Sequence, residues 1–341
     1  MNKRNNTIKG VFLPFAVALM FSSCAETSGP DEGTADARTI RFASAALTRA
    51  AIDDANGLNT PGKSFSVWGN YTDNASGSGT VTGVFDAEKV TYSAGTGWGY
   101  ENTEYWYPGK TYRFYALYPS VDELGAGTTA ACDNDGNFTV TGFDATHGID
   151  LMVARAEPQG INSVQDPASP VAFTFAHRLA RLSFAVRAVG CEATVTAFKV
   201  NGVTWKADLS CPAEGNPSWS GAQKTADGDS RLTKADGDIT VTDGNTTTIL
   251  GDVLLPPHSA DELAADAVIS MAYRLKGDTG DDRTAVVRLA TGTITAWGAG
   301  QQYSYTLTVS ASSITLTWKV KDWDEQNTNV SWGPDETGGT N

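Results

Sequence analysis

From residue 64 onward the chain returns repeatedly to short runs in which apolar and polar residues alternate, and this period of two limits its fold more than any other feature. Phe65-Ser66-Val67-Trp68-Gly69-Asn70-Tyr71 opens the series. Tyr105-Trp106-Tyr107 and Tyr112-Arg113-Phe114-Tyr115-Ala116-Leu117-Tyr118 follow, separated by the turn Pro108-Gly109-Lys110. Asp133-Asn134-Asp135-Gly136-Asn137 leads into Phe138-Thr139-Val140 in the same way. Side chains on a strand point alternately to its two faces, so such runs need covering sheets rather than helices. Strands at this spacing, punctuated by Asp, Asn, Gly and Pro, predict an all-β chain built as β-sandwiches. No 15-residue stretch carries a helical period. Glycine numbers 35 and methionine only 4, a balance that favours strands and turns.

With 341 residues, the chain has room for two ordinary domains. Gln159 to Pro170 is proline-containing and poor in apolar residues, which predicts the boundary: a first sandwich over 50–165 and a second over 166–341. Val171-Ala172-Phe173-Thr174-Phe175 and Ala180 to Arg187 open the second set of strands. Residues 213–238 form a polar excursion with a small repeat, Ala226-Asp227-Gly228-Asp229 and Ala235-Asp236-Gly237-Asp238. Tyr303 to Val309 and Ile314 to Val320 are the last predicted strands.

The first 23 residues read as an export signal. Lys3, Arg4 and Lys9 precede the apolar stretch Val11 to Phe21, about 11 residues long, whereas a bilayer-spanning helix needs roughly 20. Ser22-Ser23-Cys24 places small residues just before a cysteine, as in a lipobox, although Phe21 stands where Leu is usual. Cys24 is therefore the expected lipidation site; a plain signal peptide with an incidental cysteine is the alternative. Acyl chains such as palmitate, at roughly 0.8 kcal/mol per buried CH₂, would hold the protein on a membrane. Residues 25–38 have linker composition, and Thr39-Ile40-Arg41-Phe42 reads as a short strand.

Chemistry is sparse. A formal net charge of −14 leaves no basic face for phosphates, so nucleic acid is not an expected partner. Besides Cys24 there are Cys132, Cys191 and Cys211; Cys191 and Cys211 flank a strand–turn region and are candidates for one disulfide in an oxidising compartment. No C-x-x-C pair suggests zinc. The three histidines, His147, His177 and His258, are scattered, and no nucleophile motif accompanies them. Asp133-x-Asp135-Gly136-Asn137 and the Ala-Asp-Gly-Asp repeat lack the ligand set of a calcium loop and read as turns. No cofactor, metal or enzymatic activity is expected. Trp98, Tyr100, Tyr105, Trp106 and Tyr107 form an aromatic cluster that either fills a sandwich core or stacks on sugars.

These features in their order resemble the fimbrillins. The resemblance rests on the lipobox, the step Thr48-Arg49-Ala50, the run from Tyr105 to Ala116, Asp150-Leu151-Met152-Val153-Ala154 and Phe175 to Phe184. It ends with Trp297-x-x-Gly300-x-x-Tyr303-x-Tyr305 and Val320-x-x-Trp323, so it covers nearly the whole chain. The resemblance implies two tandem transthyretin-like β-sandwiches, travel as a lipoprotein, and assembly into type V pili on the cell surface as a stalk or tip subunit. It also implies cutting by an arginine-specific protease. Cleavage between Arg49 and Ala50 would release residues 24–49, with Arg38 and Arg41 as weaker sites.

Removal of an edge strand exposes unpaired backbone groups beside an apolar groove, which a strand from the next subunit can fill. The expected donor is the tail after Trp323, whose apolar anchors are Val330 and Trp332 in an otherwise polar segment. Expected partners are other pilus subunits, the outer membrane through lipid, and a host or bacterial surface ligand. A surface-retained lipoprotein, serving as pilus anchor or glycan-binding module, is the alternative.

Overall fold

The protein's structure is a computed structural model that describes residues 38–43, 46–47, 55–73, 79–163, 168–290 and 294–323. In chain order its strands begin with β1 (Ala46–Leu47), β2 (Ser64–Thr72), β3 (Val81–Ser93), β4 (Gly97–Gly99) and β5 (Thr111–Tyr118). Next come β6 (Thr129–Cys132), β7 (Phe138–Asp144), β8 (Met152–Arg155), β9 (Thr174–His177), β10 (Ala180–Ala188) and β11 (Ala193–Asn201). β12 (Thr204–Cys211), β13 (Ser218–Lys224), β14 (Ile239–Val241), β15 (Thr246–Leu255) and β16 (Val268–Leu275) follow. β17 (Arg283–Arg288), β18 (Gln301–Val309) and β19 (Ile314–Asp322) complete the set. Among the described residues helix is confined to short pieces, Ala55–Leu58 and Ala260–Asp266 among them. The all-β expectation holds.

The strands make a seven-stranded sheet in the order β1-β9-β8-β5-β2-β3-β4 and three four-stranded sheets, β13-β12-β7-β6, β15-β10-β18-β19 and β14-β11-β16-β17. Two ladders, β8–β9 and β7–β12, join residues on either side of position 165.

The seven-stranded sheet is buried on both faces at its centre. Along β5, Tyr112, Phe114, Ala116 and Tyr118 enter one core while Tyr115 and Leu117 enter another. β2 splits likewise, Phe65 and Val67 to the first core and Trp68 to the second. That explains why both strands are rich in aromatic and aliphatic residues on both parities, as sheets covered on both faces are. The second face is covered by the β13-β12-β7-β6 sheet, where Trp68 meets Phe138 edge to face at 5.7 Å.

Farther along the chain, β10 and β18 run parallel from Arg181↔Gln302 to Ala188↔Val309. Their inward residues face β11 and β16: Phe184 stacks on Tyr305 at 5.5 Å and reaches Phe198 on the opposite sheet at 6.1 Å. The closing motif is accounted for here. Trp297 Nε1 donates to the Tyr305 hydroxyl at 2.8 Å, Gly298 N donates to the Tyr303 hydroxyl at 2.7 Å, and Gly300, at φ +70°, donates to Leu179 O at 2.8 Å.

Cys191 and Cys211, the candidate disulfide pair, are free thiols in this structure, as is Cys132. Cys191 lies against Val309 O, whereas Cys211 ends β12 opposite Phe138 and beside Arg155. Cys191 lies in the turn between β10 and β11 and Cys211 at the end of β12 in another sheet, a separation that spacing in sequence did not reveal.

Candidate functional site

The chain segment ahead of Arg49 forms part of the first core. Ile40 is fully buried and Phe42 nearly so, on the alternate positions of an extended stretch whose intervening Arg41 faces solvent. Backbone pairing holds the segment on both sides. On one side, Ile40 N donates to Glu104 O at 2.8 Å and Trp106 N to Arg38 O at 2.8 Å. On the other, Ala43 N donates to Val171 O at 2.9 Å and Val171 N to Arg41 O at 2.7 Å, and β1 continues parallel to β9 through Ala46↔Thr174 and Leu47↔Phe175. The segment thus bridges the β9 edge of the seven-stranded sheet and the stretch that follows β4.

Phe42 sits in a cradle of rings. Phe65, Phe85, Tyr100, Phe114 and Phe173 all lie with centroids between 5.6 and 6.3 Å from its own. The Tyr100 hydroxyl donates to Ile40 O at 2.7 Å, which fixes the segment's depth, and burial pushes that phenol's pKa above its ordinary value. Tyr112 closes the neighbouring turn: its hydroxyl accepts from Tyr107 N at 2.8 Å and donates to Tyr105 O at 3.3 Å. Burial drives its pKa up to about 12, so it stays a neutral donor. With the segment gone, these rings and the backbone groups of Glu104, Trp106 and Val171 would face water. Burial of a Phe-sized side chain is worth roughly 1.5–3 kcal/mol, so Phe42 contributes on that order to the first core.

Cys24, Arg49, Ala50, Val330 and Trp332, the lipidation, cleavage and donor residues expected from the sequence, lie outside the described residues. The aromatic cluster divides. Trp98 and Trp106 are core residues, whereas Tyr107 is 49% exposed beside Tyr71, ring to ring at 6.2 Å, near the Lys110–Asp73 ion pair of 2.6 Å. His177 pairs with Asp150 at 2.9 Å and stacks on Trp323 at 4.2 Å, joining two motif residues the sequence could only note separately. The Asp133 loop is closed by its own carboxylate, which accepts from Asp135 N and Asn137 N.

Sequence reasoning missed the clamp made by Arg155. Its guanidinium donates to Gly136 O, Cys211 O and Pro212 O, tying the end of β8 to the β6–β7 turn and the exit of β12. A lone arginine in a strand gives no signal of distant carbonyl partners. Phe173 and Phe175 were visible as an alternating run, but not that Phe173 stacks on Phe42 while Phe175 packs against Phe65.

The profile of the fimbrillin-like family matches residues 48–323. A Bacteroides uniformis protein named as a fimbrium subunit, Fim1C, is 30% identical over 228 residues, which is 66% of this chain and 64% of that protein's length. The fold is similar to the crystal structure of a fimbrial protein from Bacteroides vulgatus, with a TM-score of 0.57 at 19% identity, covering 84% of this chain and 99% of that one.

Proposed function

The chain belongs to the fimbrillin-like family, and on that premise we propose that it is a pilus subunit, stalk or tip, that polymerises by strand exchange. It is exported as a lipoprotein on Cys24, held at the outer membrane, cut between Arg49 and Ala50, and then joined to other subunits at the cell surface. One observation supports this reading: in the chain ahead of Arg49, Arg38 to Ala43 is extended and paired on both sides over an aromatic groove, and Ala46–Leu47 pairs with β9. Its removal leaves an acceptor with unpaired backbone groups on two flanks. A donor strand added there restores both the hydrogen bonds and the apolar filling. Because donor and acceptor are different segments of the chain, the contact is head-to-tail, does not close and builds a filament.

Arg49→Ala tests this. The variant should stay uncut, keep its lipid and form no filaments, while folding normally, since the plug remains in place. Filaments from that variant would contradict cleavage at Arg49. A second reading, a surface-retained glycan-binding lipoprotein, draws on the exposed Tyr107 beside Tyr71 and the Lys110–Asp73 pair. A glycan array probed with the uncut protein separates the two.

A further inference from the structure

We propose that Trp332 of a second copy takes the place of Phe42, with Val330 in the place of Ile40, so that the tail enters the groove in the same direction as the strand it replaces. This inference rests on the strand-exchange reading and assigns its register. The two apolar anchors of the tail are spaced i and i+2, as Ile40 and Phe42 are, and Ser331 falls where solvent-facing Arg41 lies. Size then sets direction. The position of Phe42 is ringed by five aromatic side chains, which suit an indole through edge-to-face and offset contacts.

Two further features agree. In this register Pro334 falls one residue beyond Ala43, whose N–H pairs with Val171 O, so the proline does not remove that bond. Thr328 takes the place of Arg38, whose Nε is buried in the plug without a hydrogen-bond partner. A buried unsatisfied donor is costly, so the incoming strand removes a penalty that the outgoing one carries. The reversed register places the indole at Ile40 and Val330 among the five rings.

Two full-length chains test the assignment, one Tyr105→Cys and one Asn329→Cys, mixed after cutting with an arginine-specific protease and oxidised. Thr39 is bridged to Tyr105, and Asn329 takes the place of Thr39, so a 105–329 disulfide is expected by peptide mass. A cross-link from Tyr105→Cys to Gly333→Cys instead, or no cross-link with either, would overturn the register. In the otherwise unmodified chain, Trp332→Ala should slow polymerisation at least tenfold and Trp332→Phe should restore most of the rate. An undiminished rate for Trp332→Ala contradicts the proposal. Polymers from a chain ending at Trp323 would sink the donor-tail reading itself, which separates the two failures.

Discussion

The ring of Phe42 lies stacked on that of Phe173, with centroids 5.8 Å apart and planes 19° from parallel. The contact makes a residue that precedes the expected cleavage point a full member of the first core. Phe42→Ala in the uncut chain should cost about 3–5 kcal/mol, the range for losing a buried aromatic side chain. The urea-unfolding midpoint measures it. In a chain cut after Arg49 and freed of the fragment, the same substitution should have no effect, because the residue is gone.

His258 sets a pH dependence. Its Nδ1 donates to Pro256 O and its Nε2 accepts from Thr204 N, both at 2.8 Å, so the neutral ring is the one the fold accommodates. Burial pulls its pKa below the ordinary 6.5. The unfolded chain therefore binds this proton more readily than the folded one, and stability present above pH 6.5 is lost as pH falls toward the folded value. The melting temperature should drop on acidification through that window, and His258→Gln should flatten the drop. An unchanged slope in the variant would assign the effect to other groups.

Two glycines with left-handed backbone should respond differently to alanine. A Cβ on Gly202, at φ +72°, would lie 2.2 Å from Asp266 O, whereas one on Gly190, at φ +66°, meets nothing within 4 Å. Gly190→Ala should cost about 1–2 kcal/mol of backbone strain alone. Gly202→Ala should cost clearly more, since the backbone ahead of β16 must move. Equal costs, read from denaturant midpoints, would show that the Asp266 end yields freely.

The parts of the fold legible in the sequence are those written locally. Alternation in Phe65 to Tyr71 and Tyr112 to Tyr118 marked β2 and β5, and the turn residues marked their ends. Pairing between distant segments was not legible, because period two fixes which way a side chain points but not which strand lies beside it. Hence β12 beside β7, the Arg155 clamp and the separation of Cys191 from Cys211 had to come from the structure. The candidate site was half legible. Ile40 and Phe42 read as a short strand ahead of an arginine, but a four-residue alternation cannot say that it is paired on both flanks or that five rings surround Phe42.

The N-terminus and intact mass of the protein taken from surface filaments decide between cleavage after Arg49 and retention of the lipid. A polymerised subunit should begin at Ala50 and carry no acyl group. Filaments whose subunits begin at an acylated Cys24, with the strand of Ile40 and Phe42 still attached, would contradict it.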